Sequence, residues 1–329
     1  MGGHMHRFSA VRAALAGALL LGAMATAGAA APAMADTTTP LFVDWTSLLP
    51  SLSDAFDPNS ANDCVAGRSR CVDVTIKEMR RRFDPLASAC DHNSVFSMAY
   101  LRTTQTYKWA RNQPGFFNDT PFVNHEDAVF ARYYFTAFDN WSSGNRSAVP
   151  ESWLIALDAA KARQVTGTGN LLLGMSAHVN RDLPFVLAAI GITYPDGTTR
   201  KPDHDKVNEF LNSEIAQLLA EASTRFDPGI YNMATPYGVG YTGFFQLLQA
   251  WREQAWRNAE ALTNAATPAD RAAVANQIET TAANEARSLL AENAYTPPLT
   301  SSASRDAYCG VHNGDAAPQP YPFGQPSPW

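Results

Sequence analysis

Histidine and carboxylate four residues apart on one helix face are a common way to hold a metal ion or move a proton, and this chain has such a pair in His178 and Asp182. Arg181 stands beside them, and the flanks, Leu171 to Gly174 and Leu183 to Leu187, are almost wholly apolar. Burying an ionised carboxylate and a guanidinium there costs several kcal/mol, about 3 or more, unless each is paired or bound to a metal. The segment therefore reads as a functional site, with a structural Arg181–Asp182 salt-bridge plug as the alternative. Pro184 lacks an N–H, which frees the carbonyl of Asn180 for another partner.

Three more histidines head apolar rows. His204 lies three before Val207 and seven before Leu211, with Asp205 adjacent. His125 lies four before Val129 and eight before Tyr133, with Glu126 adjacent, and His92 precedes Phe96 and Ala99, with Asp91 adjacent. Each alone reads as a core or capping histidine, and Glu126 and Asp127 alone read as favourable charges in a first helical turn. Together, neutral imidazoles and carboxylates are the ligand set of zinc or iron, and helices meeting in a bundle core are where such sites are built. The expected ligands are His125, His178, Asp182 and His204, with Asp91, His92, Asn180 and Asp205 as secondary candidates. Zinc is the expected metal and iron the alternative. The metal would lower the pKa of a bound water, Glu126 would act as general base, and Arg181 would hold an anionic group such as phosphate.

The run His178-x-x-x-Asp182-Leu183 resembles the ligand segment of zinc-dependent phospholipase C and the related single-strand zinc nucleases, which are all-α, exported, multi-zinc phosphodiester hydrolases. The resemblance implies metals that activate water and hold phosphate. Pro184 stands where that family usually places a further histidine, no second His-x-x-x-Asp/Glu helix occurs, and Trp45 lies ten residues inside the mature chain where the family has an N-terminal ligand tryptophan. One or two metals, rather than three, are what remains implied. More broadly, residues 174–184 and the run Asn124-His-Glu-Asp127 are similar to an exported actinobacterial family of unknown function; that resemblance spans most of the mature chain and implies no activity.

Other chemistries lack their residues. There is no Gly-x-Ser-x-Gly elbow and no P-loop or G-x-G-x-x-G after a strand. Gly238 to Gly243 is rich in glycine but opens a helix. A di-iron bundle needs Glu-x-x-His pairs, and none occurs. Tyr133, Tyr134, Trp251 and Trp256 read as core, and Asn140 and Asn145 begin glycan-acceptor triplets.

The elements that must carry these residues are helices. Helical periodicity recurs with short Pro/Gly breaks, giving helices over 73–89, 93–111, 124–141, 150–165, 170–190 (kinked at Pro184), 203–224, 237–264 and 267–292. Asn124 and Asp203 are expected N-caps, and Thr267-Pro268 opens the last helix. The fold class is all-α: one domain, 36–294, of about eight helices packed as an irregular bundle. An extended Pro-rich tail follows, 295–329.

Composition agrees. The 329 residues are 46% hydrophobic and 17% charged, with a formal net charge of -6. That acidity disfavours nucleic acid and anionic membrane surfaces as partners. Arg7 and Arg12, an apolar run from Ala13 to about Gly28, and Ala33-Met34-Ala35 have the order of a signal peptide cleaved after Ala35, with residues 1–4 an extension ahead of Met5. No other apolar run is long enough to span a membrane without interruption. Export makes two disulfides the default for Cys64, Cys71, Cys90 and Cys309, whose three possible pairings include Cys64–Cys71 with Cys90–Cys309. Zinc held by four thiolates is the rival, without a C-x-x-C spacing to support it. The expectation is a secreted, metal-dependent hydrolase of a phosphoester or other ester, acting on a small-molecule or lipid-like substrate. The alternatives are a non-enzymatic binding protein for a lipid or hydrophobic small molecule, and a di-iron-type oxidase.

Overall fold

The computed structural model describes residues 55–233 and 239–323. The leader with its cleavage site, Trp45 and the final residues 324–329 lie outside them. Among the described residues ten α-helices follow one another: α1 Ser69–Ser88, α2 Ser94–Ala110, α3 Thr120–Ser142, α4 Glu151–Lys161, α5 Gly167–Ser176, α6 Leu183–Ile190, α7 Lys201–Arg225, α8 Val239–Asn264, α9 Pro268–Glu292 and α10 Ser302–His312. A π-helical turn, Ala177–Asp182, joins α5 to α6. Among the described residues no β-strand forms, and isolated bridges pair Val165 with Ala294 and Thr193 with Thr199. The chain is all-α, as its periodicity predicts.

Local chemistry sets the ends. Thr267 and Asp270 form a reciprocal capping box with Pro268 in the first turn, so α9 starts where the sequence places it. Helix α3 starts four residues earlier than expected, because Asp119 accepts the N–H of Phe122 and Pro121 sits in the first turn. Asn124 is therefore no cap: it is buried, accepts from Tyr107 Oη at 2.6 Å and donates to the Gly67 carbonyl at 2.8 Å. Gly67 has φ +62° and lies against the backbone of Pro121, where a Cβ has no room. Asp203 likewise lies inside the first turn of α7, where it accepts the N–H groups of Asn118 and Asp119 at 2.8 and 2.9 Å. It ties α7 to the loop before α3.

Helix α2 is central, packing against α1, α5 and α7, while α6 and α8 pack together. Buried side chains from most of the helices form one large core, and a smaller cluster around Cys71, Phe122, Val129, Tyr133 and Phe185 sits beneath the Cys64 loop. The two disulfides are Cys64–Cys71 and Cys90–Cys309, and no free cysteine remains. The segment from 295 is expected to be extended, but its residues 302–312 form α10. Ser301 caps this helix, Cys309 anchors it, and Arg305 is buried beneath it. Beyond α10, Tyr321 donates to Glu221 at 2.8 Å, joining the buried pair Arg102–Glu221.

Candidate functional site

Five elements turn one stripe each toward a common cavity of about 130 Å³. Helix α2 contributes Phe96, Ala99, Tyr100, Thr103, Thr104 and Tyr107, and α3 contributes Val123, Glu126, Asp127 and Phe130. The continuous segment from α5 through the π-turn to the start of α6 gives Met175, His178, Val179 and Leu183. Helix α7 gives Val207, Phe210, Leu211, Glu214, Ile215 and Leu218, and α8 gives Phe244, Leu248 and Arg252. These spacings of three, four and seven are the rows of α-helical faces. The wall is overwhelmingly apolar, with a few polar groups set into it.

His178 and Asp182 meet as the spacing predicts, Nδ1 to Oδ2 at 2.9 Å. They do so on the π-turn, a wider turn of the kind often found at functional sites. Asp182 Oδ2 also accepts from Trp153 Nε1 at 2.9 Å, and Oδ1 accepts from Arg181 at 3.0 Å. Arg181 is committed further: it donates to Glu279 on α9 at 2.9 and 2.6 Å. The anion-holding role expected of Arg181 is thus taken up by two carboxylates of the protein itself. The ring of His178 stacks flat on Phe130, centroids 3.5 Å apart, and meets Tyr100 edge-on at 4.6 Å.

The other expected ligands lie elsewhere. His125 is buried with Nδ1 2.9 Å from the Cys64 carbonyl and its ring beside Phe56. His204 packs on Trp256 and bonds to Arg252, Nε2 to its carbonyl at 3.2 Å and Nδ1 to Nη2 at 3.3 Å. His92 is held between Asp306 at 2.8 Å and Arg305 at 3.1 Å, and Asp91 accepts from the N–H of Asn93. Asn180 donates to Ser176, and Asp205 pairs with Lys201. Among the described residues no group of three or more His, Cys, Asp or Glu side chains is placed to hold a metal ion. Of the expected set, the structure brings His178 and Glu126 to one cavity and Asp182 directly behind it.

Glu214 and Arg252, which the sequence does not single out, join Glu126, Asp127 and His178 on the wall. Burial pushes Asp127 up to about 8, and neighbouring Glu126 adds to the rise while Arg111 opposes it. Burial likewise raises Glu126 to about 7, against the pull of Arg252. Glu214 is raised to about 7 by burial, although hydroxyls of Thr106 at 2.5 Å and Thr103 at 2.7 Å stabilise its charge. Near neutral pH, Asp127 is thus a carboxylic acid, able to donate. Burial lowers the pKa of His178 against the opposing Asp182, so its imidazole is neutral. Burial also lowers Arg252 to about 10, with Glu126 opposing. Four buried polar atoms of wall residues lack a hydrogen-bond partner among the described residues: Tyr100 Oη, Thr104 Oγ1, Asp127 Oδ2 and His178 Nε2. Such groups are rare in native interiors and call for an explanation. The sequence does carry a signal for them, since Asp127, Glu214 and Arg252 interrupt apolar rows, as Glu214 does between Leu211 and Leu218.

A family model of proteins of unknown function, DUF5995, matches residues 72–292. The chain belongs to this family. The DUF5995 match begins in α1 and ends with α9, so it contains every residue named on the cavity wall. No curated protein and no solved structure matches the chain.

Proposed function

We propose that this protein binds a small apolar molecule in the five-helix cavity and works outside the cytoplasm. One observation carries the reading: an apolar cavity whose wall holds four buried, unpartnered polar atoms. Ligand sites are concave and mostly apolar with a few polar groups that fix orientation. Its volume of about 130 Å³ compares with an engineered apolar cavity of about 150 Å³ that takes up benzene. A monocyclic aromatic or equally compact aliphatic molecule is therefore the right size. The two disulfides and the leader-like residues 1–35 support export.

The hydrolase reading rests on a different arrangement, with His125, His178, Asp182 and His204 around one ion. His125 and His204 are engaged elsewhere, so the cavity alone is the better-supported site. The weak link to zinc phospholipases stays with the residues 178–183 that suggest it.

Calorimetric titration with toluene tests the proposal. Saturable binding is expected with Kd on the order of 0.1 to 1 mM, which is reasonable for seven heavy atoms. Ala99→Phe, which fills the cavity from α2, should abolish it. Absence of saturable binding, or stoichiometric zinc or iron in protein purified without chelator, would overturn the reading.

A further inference from the structure

Resting on the cavity reading above, we infer that the ligand carries a hydroxyl that donates a hydrogen bond to Nε2 of His178, making it a neutral phenol-type molecule rather than a plain hydrocarbon.

The argument begins behind the ring. Asp182 receives three hydrogen bonds, from Trp153 and His178 on Oδ2 and from the Arg181 guanidinium on Oδ1. Asp182 is ion-paired with Arg181 at 3.0 Å, and a carboxylate in an ion pair accepts hydrogen bonds. The 2.9 Å contact with His178 therefore has Nδ1–H as donor. In a neutral imidazole the other nitrogen then carries a bare lone pair. Nε2 is that nitrogen; it is buried and has no hydrogen-bond partner among the described residues.

The ring cannot turn to find one. Phe130 lies flat against it with an interplanar angle of 5°, and Tyr100 and Trp153 close in at 4.6 and 5.8 Å. Leaving such an acceptor unpaired lowers an equilibrium constant by roughly tenfold to a hundredfold. A ligand that supplies the donor recovers that factor, and one that lacks it does not.

The remaining groups narrow the ligand class. Tyr100, Thr104 and Asp127 line the same cavity and also carry polar atoms without a hydrogen-bond partner among the described residues. A hydroxyl both donates and accepts, so it suits this set; a carbonyl or ether cannot donate. A phenolate or a carboxylate has no proton to give Nε2, so the ligand's hydroxyl is a neutral one. Phe96, Phe130, Phe210 and Phe244 supply the faces against which an aromatic ring packs.

Phenol and toluene have nearly the same shape and differ by hydroxyl against methyl, so a paired titration near pH 6 tests the inference. In the natural protein phenol should bind more tightly than toluene. In His178→Phe the ratio of the two constants should shift at least tenfold against phenol. Because this variant could destabilise the π-turn, the natural protein labelled with nitrogen-15 histidine provides an independent readout. Its bare Nε2 resonance should move on adding phenol and stay in place on adding toluene. If toluene binds as well as or better than phenol and the resonance is indifferent to both, the hydrogen bond is refuted while the cavity reading stands. If neither molecule binds, the cavity reading falls and this inference falls with it.

Discussion

Asp127 shows how far burial can carry one residue from its sequence-level meaning. By spacing it is a favourable charge in the first turn of a helix. In the folded chain, α3 begins at Thr120, and Asp127 stands on the cavity wall as a neutral acid. An unfolded aspartate loses its proton near pH 4, whereas this one keeps it to about 8. Between those values the folded state binds the extra proton, so its contribution to stability falls as pH rises and is lost above the folded pKa. The buried histidines act in the opposite sense. His92, His178 and His204 have lowered values, so their contribution is present above about pH 6.5 and is lost as pH falls below it. Asp127→Asn should therefore flatten the alkaline decline, gaining at least about 2 kcal/mol, roughly 4 °C or more in Tm, on the natural protein between about pH 5 and pH 9. Parallel curves of Tm against pH for the two proteins would show that Asp127 titrates normally.

At the scale of elements, the cavity depends on how closely α5 approaches α2. Gly174 makes that approach possible: a Cβ there would lie 2.3 Å from the Phe96 ring, and Phe96 lines the cavity. Gly174→Ala should cost about 1–3 kcal/mol by overpacking and should also weaken toluene binding, because Phe96 has to shift into the cavity. Lost stability with unchanged affinity would mean that Phe96 moves some other way. The π-turn that follows is legible in outline only. Its polar island and Pro184 stand out in the sequence as a disruption of an apolar helix, and a simple kink is the natural expectation. What forms is a six-residue wide turn, because Arg181 must reach Glu279 on α9 while His178 stays against Phe130 on α3. Those partners lie about a hundred and about fifty residues away in the chain, beyond the reach of any local pattern.

At the scale of the molecule, long-range ties hold the helices around the cavity. Cys90–Cys309 joins positions 219 apart, and Cys64–Cys71 joins positions 7 apart. On the chain-entropy account the longer closure contributes about 5 kcal/mol and the shorter about 2. Cys309→Ser should accordingly lower the free energy of unfolding in denaturant by about 3 kcal/mol more than Cys71→Ser does; an equal or reversed order would show that local packing at each bridge dominates. Arg305 reinforces the same closure from within α10, reaching His92 and Asn170.

The sequence by itself determined the helical class, most helix spans and the conjunction of His178 with Asp182, since these depend on neighbours within about one turn. Tertiary structure alone decided which histidines share a space. A histidine at the head of an apolar row must face inward, but inward for His125 is the Cys64 loop, for His204 the Arg252 backbone, and for His178 the cavity. Periodicity fixes a direction on one helix; convergence depends on where five helices cross, which is set by packing between distant side chains.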